Sequence, residues 1–108
     1  MYERIIQVIT STRNKKDAEK IAAELIRMKL AACTQILGPV NSSYWWNGNI
    51  ETANEWICVI KSKRSLYSQI ERVIKKLHPY QVPEILALPV VEGSKDYLKW
   101  LDDEIQQT

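Results

Sequence analysis

The sequence predicts an α+β domain whose elements follow the order β-α-β-β-α-β, with a further helix at the C-terminus. Two observations support this prediction. Apolar residues recur at strand spacing in four segments and at helical spacing in the segments between them. An Asn47-Gly48 pair joins two long strand patterns as a two-residue hairpin turn. The length of 108 residues is that of one domain, so we expect a single domain over residues 1–108.

The N-terminal segment predicts a strand, a polar loop and a helix. The strand is predicted over residues 3–10, where isoleucine and valine dominate. Polar residues 10–14 predict a loop that contains helix-capping residues. The helix is predicted over residues 15–29, because apolar side chains recur on one face and Asp17 lies in the first turn.

Two long strands follow, over residues 31–46 and 50–63. The first is interrupted at Gly38-Pro39, which predicts a break or a bulge. Each arm is about twice the usual strand length of ~5–6 residues. The strands predicted near the two ends of the sequence are too short to pair along this whole length. We therefore expect the tip of the hairpin to extend beyond the sheet.

The C-terminal part predicts a helix, a short strand and a last helix. The second helix covers about residues 65–77 and the short strand residues 85–91. Ser94 is expected to cap the last helix, whose first turn contains Asp96. The complete order is that of a ferredoxin-like sandwich with an extra C-terminal helix, a fold that hosts many functions.

The hairpin carries aromatic side chains that a soluble monomer tolerates poorly when they are bare. Tyr44, Trp45 and Trp46 lie at the tip, and Trp56 lies further along the returning arm. Paired edges with aromatic anchors are typical of protein interfaces, so we predict that these four residues form an oligomer interface. The alternative is that the hairpin folds back over its own sheet.

Composition and charge argue against several classes of function. The chain is 45% hydrophobic and 26% charged, with a net charge of only +2, which predicts no nucleic-acid partner. No apolar run approaches the ~20 residues of a membrane span, and residues 1–4 lack the pattern of a signal peptide. Cys33 and Cys58 lie in apolar patterns, so we expect buried, reduced thiols and a cytoplasmic location.

The segment from His78 to Ile85 holds the only histidine and two of the four prolines. Pro79 and Pro83 keep the backbone out of helix, so His78 and Glu84 are expected on a stiffened connection. A segment with a restricted backbone and with polar, titratable side chains favours a functional site. The alternative is that these residues only terminate the second helix. A histidine interacts favourably with a helix C-terminus, and a proline cannot continue the helix.

Basic residues cluster around the second helix and include Lys61. A solvated charged face explains them, because acidic residues interleave. The alternative is an anion or nucleotide pocket between subunits.

Several motifs resemble those of the CutA divalent-cation tolerance proteins: Leu30-Ala31-Ala32-Cys33, Tyr44-Trp45-Trp46-Asn47-Gly48, Lys61-Ser62, the segment from His78 to Ile85, and Asp96-Tyr97-Leu98-Lys99-Trp100-Leu101. The resemblance covers nearly the whole chain. It implies a ferredoxin-like subunit, a tight homotrimer and an architecture similar to that of PII-like signalling proteins. It also implies a link to copper or other divalent metals, and no established catalytic activity.

The resemblance implies a metal site with only one of its ligands retained. Copper-binding members of the family use a cysteine at the end of the first strand and a histidine pair before the proline. The matching positions here are Thr10, Leu77 and His78, so only His78 is retained. Because copper prefers several nitrogen or sulfur ligands, we expect no tightly bound cofactor. We expect weak binding of copper or another divalent cation, with His78 as its metal ligand.

The resemblance and the residues together predict a non-enzymatic, trimeric divalent-cation tolerance protein with a binding or signalling role in the response to metal ions such as copper. Its ligand pocket is expected between subunits, for a metal ion or a small anion, with these side chains: Trp45, Lys61, His78, Tyr80 and Glu84. One alternative is a PII-like small-molecule or nucleotide sensor without a metal role. Another is an enzyme that uses His78.

Overall fold

The computed structural model describes residues 4–107 of the chain. Four strands and three α-helices alternate in the predicted order: β1 (Ile5–Thr12), α1 (Lys15–Arg27), β2 (Cys33–Trp46), β3 (Asn49–Lys63), α2 (Tyr67–Leu77), β4 (Leu86–Pro89) and α3 (Lys95–Glu104). A short 3-10 helix, Arg64–Leu66, leads into α2. The predicted α+β class is confirmed. No helix in the described range has the length and apolar character needed to span a membrane.

The strands form one antiparallel sheet in the order β2-β3-β1-β4. The central strand β1 pairs with β3 along its whole length, from Ile5 opposite Lys63 to Thr12 opposite Trp56. The short strand β4 pairs with the other edge of β1. This is the strand order of the predicted ferredoxin-like sandwich.

The core lies between one face of the sheet and the helices. Because side chains alternate along a strand, Val8 and Ile60 point to the same face, where both are fully buried. Helix α1 buries Ile21 and Leu25 against this face, because these residues recur on one side of the helix. The remaining fully buried apolar side chains of the core include Ala18, Leu30, Cys58, Leu66, Ile70 and Ile74.

Helix α1 ends earlier than predicted, at Arg27 rather than at residue 29. Lys29 adopts a left-handed conformation with φ 56°, which stops the helix. The amide of Leu30 then donates to the carbonyl of Leu25 at 3.0 Å, which satisfies an otherwise unpaired helix carbonyl.

Strand β1 ends later than predicted. Residues 11 and 12 were expected in a polar loop, but Ser11 and Thr12 pair with Ile57 and Trp56 of β3. The long returning arm of the hairpin supplies these pairing partners, so sheet pairing overrides the polar local sequence. The start of the predicted strand, Glu3, lies outside the described residues.

Smaller boundaries also differ. Strand β2 begins at Cys33 rather than at residue 31, and strand β3 begins at Asn49 rather than at residue 50. Strand β4 covers only residues 86–89 of the predicted 85–91, and helix α2 begins at Tyr67 because the preceding residues form the 3-10 helix. The predicted cap of α3 is confirmed, since the Ser94 hydroxyl accepts a hydrogen bond from the amide of Tyr97 at 3.3 Å.

The hairpin extends beyond the sheet, as predicted. Among the described residues, positions 49–55 of β3 pair only with β2, because β1 ends opposite Trp56. Asn47 and Gly48 form the turn with φ of 51° and 78°, the positive values that a two-residue turn of this kind requires. The pairing register shifts between Leu37 and Val40, so the predicted bulge at Gly38-Pro39 is confirmed.

Candidate functional site

A cleft of about 820 Å³ lies along the hairpin, between its tip and the end of β1. Its walls come from three parts of the chain: the end of β1, the facing residues of β2 and β3, and the segment that follows α2. Ser11 and Glu55 contribute from the strands, and Tyr80 and Glu84 contribute from the segment after α2. The overhang of the hairpin and the proline-stiffened connection therefore together form one concave site.

His78 lies behind this cleft and is buried, with 8% of its surface exposed. Its Nε2 lies 2.7 Å from the carbonyl oxygen of Ser11, and its Nδ1 accepts a hydrogen bond from the amide of Tyr80 at 3.1 Å. A carbonyl oxygen only accepts, so Nε2 carries the proton. The two partners thus occupy both ring nitrogens, and neither nitrogen keeps a free lone pair.

The ring of His78 also packs edge-on against the ring of Tyr80, with centroids 4.7 Å apart. The Tyr80 hydroxyl donates to Oε2 of Glu55 at 2.6 Å. Burial of the phenol, together with the neighbouring Glu55 carboxylate, holds the pKa of Tyr80 well above its ordinary value. His78 therefore positions Tyr80, and Tyr80 holds the carboxylate of Glu55.

Glu55 is the buried acid of the cleft, with only 6% of its surface exposed. No lysine or arginine among residues 4–107 forms an ion pair with it. Buried carboxylates are normally paired with a cation, so this group is unusual.

Arg13 is a cation at the rim of the cleft, and it is exposed. The phenol oxygens of Tyr80 and Tyr44 beside it raise the pKa of its guanidinium. On the facing wall, the Ser11 hydroxyl donates to Oε1 of Glu84 at 3.4 Å. The cleft thus combines hydrogen-bonding side chains of both charges.

The structure brings together only part of the predicted ligand pocket. Trp45, Tyr80 and Glu84 line the cleft, and His78 supports it from behind. Lys61 lies elsewhere in the chain, with its Nζ 5.7 Å from the centre of the Tyr97 ring on α3.

The predicted interface aromatics divide into two groups. Tyr44, Trp45 and Trp46 line the cleft, and the two tryptophans are 71% and 44% exposed. Trp56 is half-buried and packs within its own chain, where a Cβ atom at Gly38 would lie 2.7 Å from its ring.

The charged residues of the cleft that the predicted pocket did not contain are Arg13, Glu51 and Glu55. The sequence contains one signal for Glu55, because this carboxylate directly precedes the apolar run that begins at Trp56. Its hydrogen bond joins it to Tyr80, which is 25 residues away, and no local pattern reports that contact.

The positions that match the copper ligands of the family do not fit a copper ion in this chain. Thr10 is fully buried and its hydroxyl has no hydrogen-bond partner among the described residues. Leu77 has no donor atom in its side chain, and both nitrogens of His78 are occupied. Within residues 4–107 of one chain, no three histidine, cysteine or carboxylate side chains group as metal ligands.

The cysteines differ in burial. Cys58 is fully buried, as expected, and burial raises the pKa of its thiol to about 11. Cys33 is only half-buried, because it lies on the open face of the sheet opposite Lys61. Both thiols are free.

Comparisons with known proteins find relatives that all carry the same family name. The family model described as "CutA1 divalent ion tolerance protein" matches residues 6–104. The "Divalent-cation tolerance protein CutA" of Archaeoglobus fulgidus is 36% identical over 91 residues, which are 84% of this chain and 88% of that protein. "Protein CutA 1, chloroplastic" of Oryza sativa subsp. japonica is 36% identical over 103 residues, which are 95% of this chain but only 58% of that protein.

Solved structures agree with these relatives. The crystal structure of CutA1 from Oryza sativa superposes with a TM-score of 0.94 at 35% identity, covering 98% of this chain and 97% of that one. The divalent cation tolerance protein from Thermus thermophilus gives a TM-score of 0.92 at 33% identity, covering 94% and 99%. Since the match extends over nearly all elements described above, the chain belongs to the CutA1 divalent ion tolerance protein family.

Proposed function

We propose that this chain is a homotrimeric, non-enzymatic binding protein with a signalling role in the tolerance of divalent cations, and that its ligand site is the cleft under the hairpin. Membership of the family supports the metal-tolerance role. The observation that supports the binding role is the hydrogen-bond network of the cleft. In this network His78 fixes Tyr80, and Tyr80 holds the buried carboxylate of Glu55. Such a preorganised polar network on a concave surface is typical of a ligand site.

Assembly is supported by the surface that one chain leaves uncovered. The face of the sheet opposite the core presents the exposed apolar residues Leu37, Leu86 and Leu88. Within the described part of one chain, the edge of β3 over residues 49–55 is unpaired, beside the exposed Trp45. Exposed apolar faces and unpaired strand edges favour association with further copies.

A trimer would also explain how the predicted pocket could be completed. Lys61 lies away from the cleft of its own chain, next to Tyr97. Its predicted grouping with Trp45 and Glu84 therefore requires that two subunits contribute to one site. The proposed ligand site is accordingly one that subunits share.

A direct copper-chelating role is disfavoured by the geometry. A copper ion would have to displace the hydrogen bond of His78 to Ser11 or to Tyr80, and Thr10 and Leu77 offer no strong ligand nearby. We therefore propose that the link to divalent cations is made through the ligand of the cleft and not through copper held by His78.

The geometry favours a small-molecule sensor over a nucleotide sensor as the second candidate. Three carboxylates line the cleft, at Glu51, Glu55 and Glu84, against the cation of Arg13. A polyphosphate would be repelled by this arrangement. An enzyme that uses His78 as a base is disfavoured, because neither ring nitrogen is free to take a proton from a substrate.

A thermal-shift panel of divalent metals, nucleotides, inorganic anions and organic amines on the purified protein tests the proposal. We expect at least one class to raise the melting temperature, with no turnover of the compound during the measurement. A panel without any shift would contradict the binding role. Measurable conversion of a ligand that His78→Gln abolishes would favour the enzyme instead.

A further inference from the structure

We propose that a second recess, on the helix-bearing side of the sheet, binds a small phosphate ester, a compound with a phosphoryl group attached to a compact apolar body. This recess has a volume of about 460 Å³ and shares no lining residue with the cleft along the hairpin. It lies where the beginnings of β1 and α2 meet β4, and we call it the basic trough. Its lining includes Arg4, Ile6, Arg64, Ser68, Ala87 and Pro89.

Two arginines are held opposite each other in the wall of the basic trough. The last pair of the β1–β3 ladder is Ile5 and Lys63. One residue further, the amide of Arg64 donates to the carbonyl oxygen of Arg4 at 2.9 Å. Both arginines line the trough. Like charges that lie directly opposite each other in a sheet repel, so an anion bound between the two guanidiniums would stabilise this end of the sheet.

The two guanidiniums have no counter-charge within the described part of the chain. No carboxylate of residues 4–107 forms an ion pair with either arginine, and no carboxylate among these residues lines the trough. Glu71 accepts a hydrogen bond from the Tyr67 hydroxyl, and its carboxylate is paired with Lys75 at 3.0 Å. The basic trough is therefore positively charged, and an anionic ligand is attracted to it.

The chemistry of the arginine pair favours a phosphoryl group. A guanidinium presents parallel N–H groups that bind two oxygens of one phosphate at once. Two guanidiniums match the nearly two negative charges that a phosphate ester carries at neutral pH, whereas a carboxylate carries only one. Ser68 adds a hydroxyl from the first turn of α2, where the helix dipole also favours negative charge.

An apolar wall beside the arginines accommodates the body of the ligand. Ile6 pairs with Pro89 across β1 and β4, and Ala87 lies two positions before Pro89 on the same face of β4. All three residues line the basic trough. The volume of about 460 Å³ lies within the range of ~300–1,000 Å³ that is usual for small-molecule sites, so a compact apolar group fits beside the phosphoryl group.

The basic trough is formed by one subunit and faces away from the surface proposed for assembly. Ala87 is opposite Val8, whose fully buried side chain marks the core face of the sheet. Leu86 and Leu88 alternate with Ala87 and point to the other face, which the proposed trimer covers. Binding in the trough therefore requires no residue of a second subunit, and it is independent of the ligand proposed for the cleft.

Phenyl phosphate is a suitable probe, with benzenesulfonate and inorganic phosphate as matched comparison compounds. Benzenesulfonate keeps the ring but carries one negative charge, and inorganic phosphate keeps the phosphoryl charge but lacks the ring. At about pH 7.5 the phosphate ester is almost fully dianionic, since its second pKa is about 6. Calorimetric titration of the full chain should detect phenyl phosphate binding. Each comparison compound should bind at least about tenfold more weakly, because it loses a charge-assisted contact or the contact with the apolar wall.

Substitution of the two arginines tests the location of the site. Arg4→Gln and Arg64→Gln each remove one guanidinium, and each should weaken phenyl phosphate binding by about tenfold or more. Both side chains are exposed, so the fold should be retained. Arg72→Gln is the matched control, because it removes the same charge from an exposed position of α2 outside the trough. It should leave the affinity unchanged.

Several results would overturn the inference. No binding of phenyl phosphate would do so, as would equal affinity for either comparison compound. Equal weakening in Arg72→Gln and Arg64→Gln would show that net charge alone attracts the anion. A fall in the oligomer mass of Arg64→Gln would also overturn it, because the arginines would then contact a second subunit.

The same variants separate the basic trough from the cleft. A rise in melting temperature that an anion causes in the parent protein but not in Arg64→Gln belongs to the trough, and it does not count for the proposed function. If phenyl phosphate fails to bind while another compound of the thermal-shift panel stabilises both the parent and Arg64→Gln, the proposed function stands and this inference alone fails.

Discussion

The imidazole of His78 is held on both sides, by the carbonyl of Ser11 and by the amide of Tyr80. Truncating it would release the end of β1 from the segment after α2 and would loosen the ring of Tyr80. At the scale of single residues, His78 is thus a positioning residue for the cleft. The metal-ligand role implied by the family resemblance would require it to give up one of these bonds.

The first prediction concerns copper and His78. His78→Gln removes the imidazole, and copper affinity measured by calorimetry should stay within about threefold of the parent, because the parent imidazole is already occupied. The same variant should lower the free energy of unfolding by about 1–3 kcal/mol, since a buried hydrogen-bond pair is disturbed. A loss of copper binding in His78→Gln would restore the ligand role.

The second prediction concerns the high-pH stability that Tyr80 confers. The pKa of Tyr80 is raised in the folded chain above its ordinary 10.0, so the folded state favours the neutral phenol. That contribution is fully present below pH 10 and is lost as pH rises from there towards the folded-state pKa. The melting temperature of the parent should therefore fall more between about pH 9 and about pH 11 than that of Tyr80→Phe.

Cys58 adds to the same decline, because its thiol pKa is raised from 9.0 to about 11, and it is present in both proteins. Tyr97→Phe is the matched control, since Tyr97 is exposed and should follow the parent curve. Equal pH slopes for the parent and for Tyr80→Phe would show that the Glu55–Tyr80 pair does not carry this effect.

Among the secondary-structure elements, the register of the sheet determines on which face each cysteine side chain lies. Cys58 pairs with Ile36 and points into the core, whereas Cys33 pairs with Lys61, an odd number of positions along β3 from Cys58. Because successive side chains of a strand point to opposite faces, the two thiols lie on opposite faces of the sheet. They cannot bond to each other within one chain.

The third prediction follows from this register. In the folded protein, a thiol reagent should modify Cys33 faster than Cys58, because Cys58 is fully buried with a raised pKa. Denatured protein should yield two reactive thiols for each chain. Mass spectrometry of Cys33→Ser and Cys58→Ser assigns the rates, and a disulfide in freshly purified protein would contradict the arrangement.

The existence and order of the elements could be predicted from apolar periodicity, the Asn47-Gly48 turn and the Ser94 cap, because these signals are local. The extension of β1 through Thr12 could not be predicted from local sequence, because it depends on pairing with Trp56 on a distant strand. For the same reason the cleft was predicted only in part. Trp45, Tyr80 and Glu84 lie in named motifs, but the burial of Glu55 arises from a tertiary contact.

At the scale of the whole molecule, one chain is elongated, with extents of 46 × 25 × 21 Å. The long axis reflects the hairpin, whose arms have 14 and 15 residues. An elongated subunit with an exposed apolar sheet face and an overhanging strand pair buries less surface than a compact one of equal length. Association would cover both features and complete the cleft from a second subunit.

The fourth prediction concerns the hairpin aromatics. Trp46→Ala should weaken the oligomer and lower its mass on dilution, because a tryptophan buried at an interface typically contributes about 2 kcal/mol or more. Trp100→Ala is the matched control, since Trp100 has the same 44% exposure but lies on α3 beside Tyr97. Equal dissociation of the two variants would remove the special role of the hairpin tip.

The solution mass of the parent protein tests the proposed trimer directly, because the proposed ligand site requires more than one subunit. Light scattering at micromolar concentration should give a mass of three chains, stable over a tenfold dilution. A monomer mass under these conditions would contradict the account, since the cleft, the exposed sheet face and the hairpin edge would then all remain open in solution.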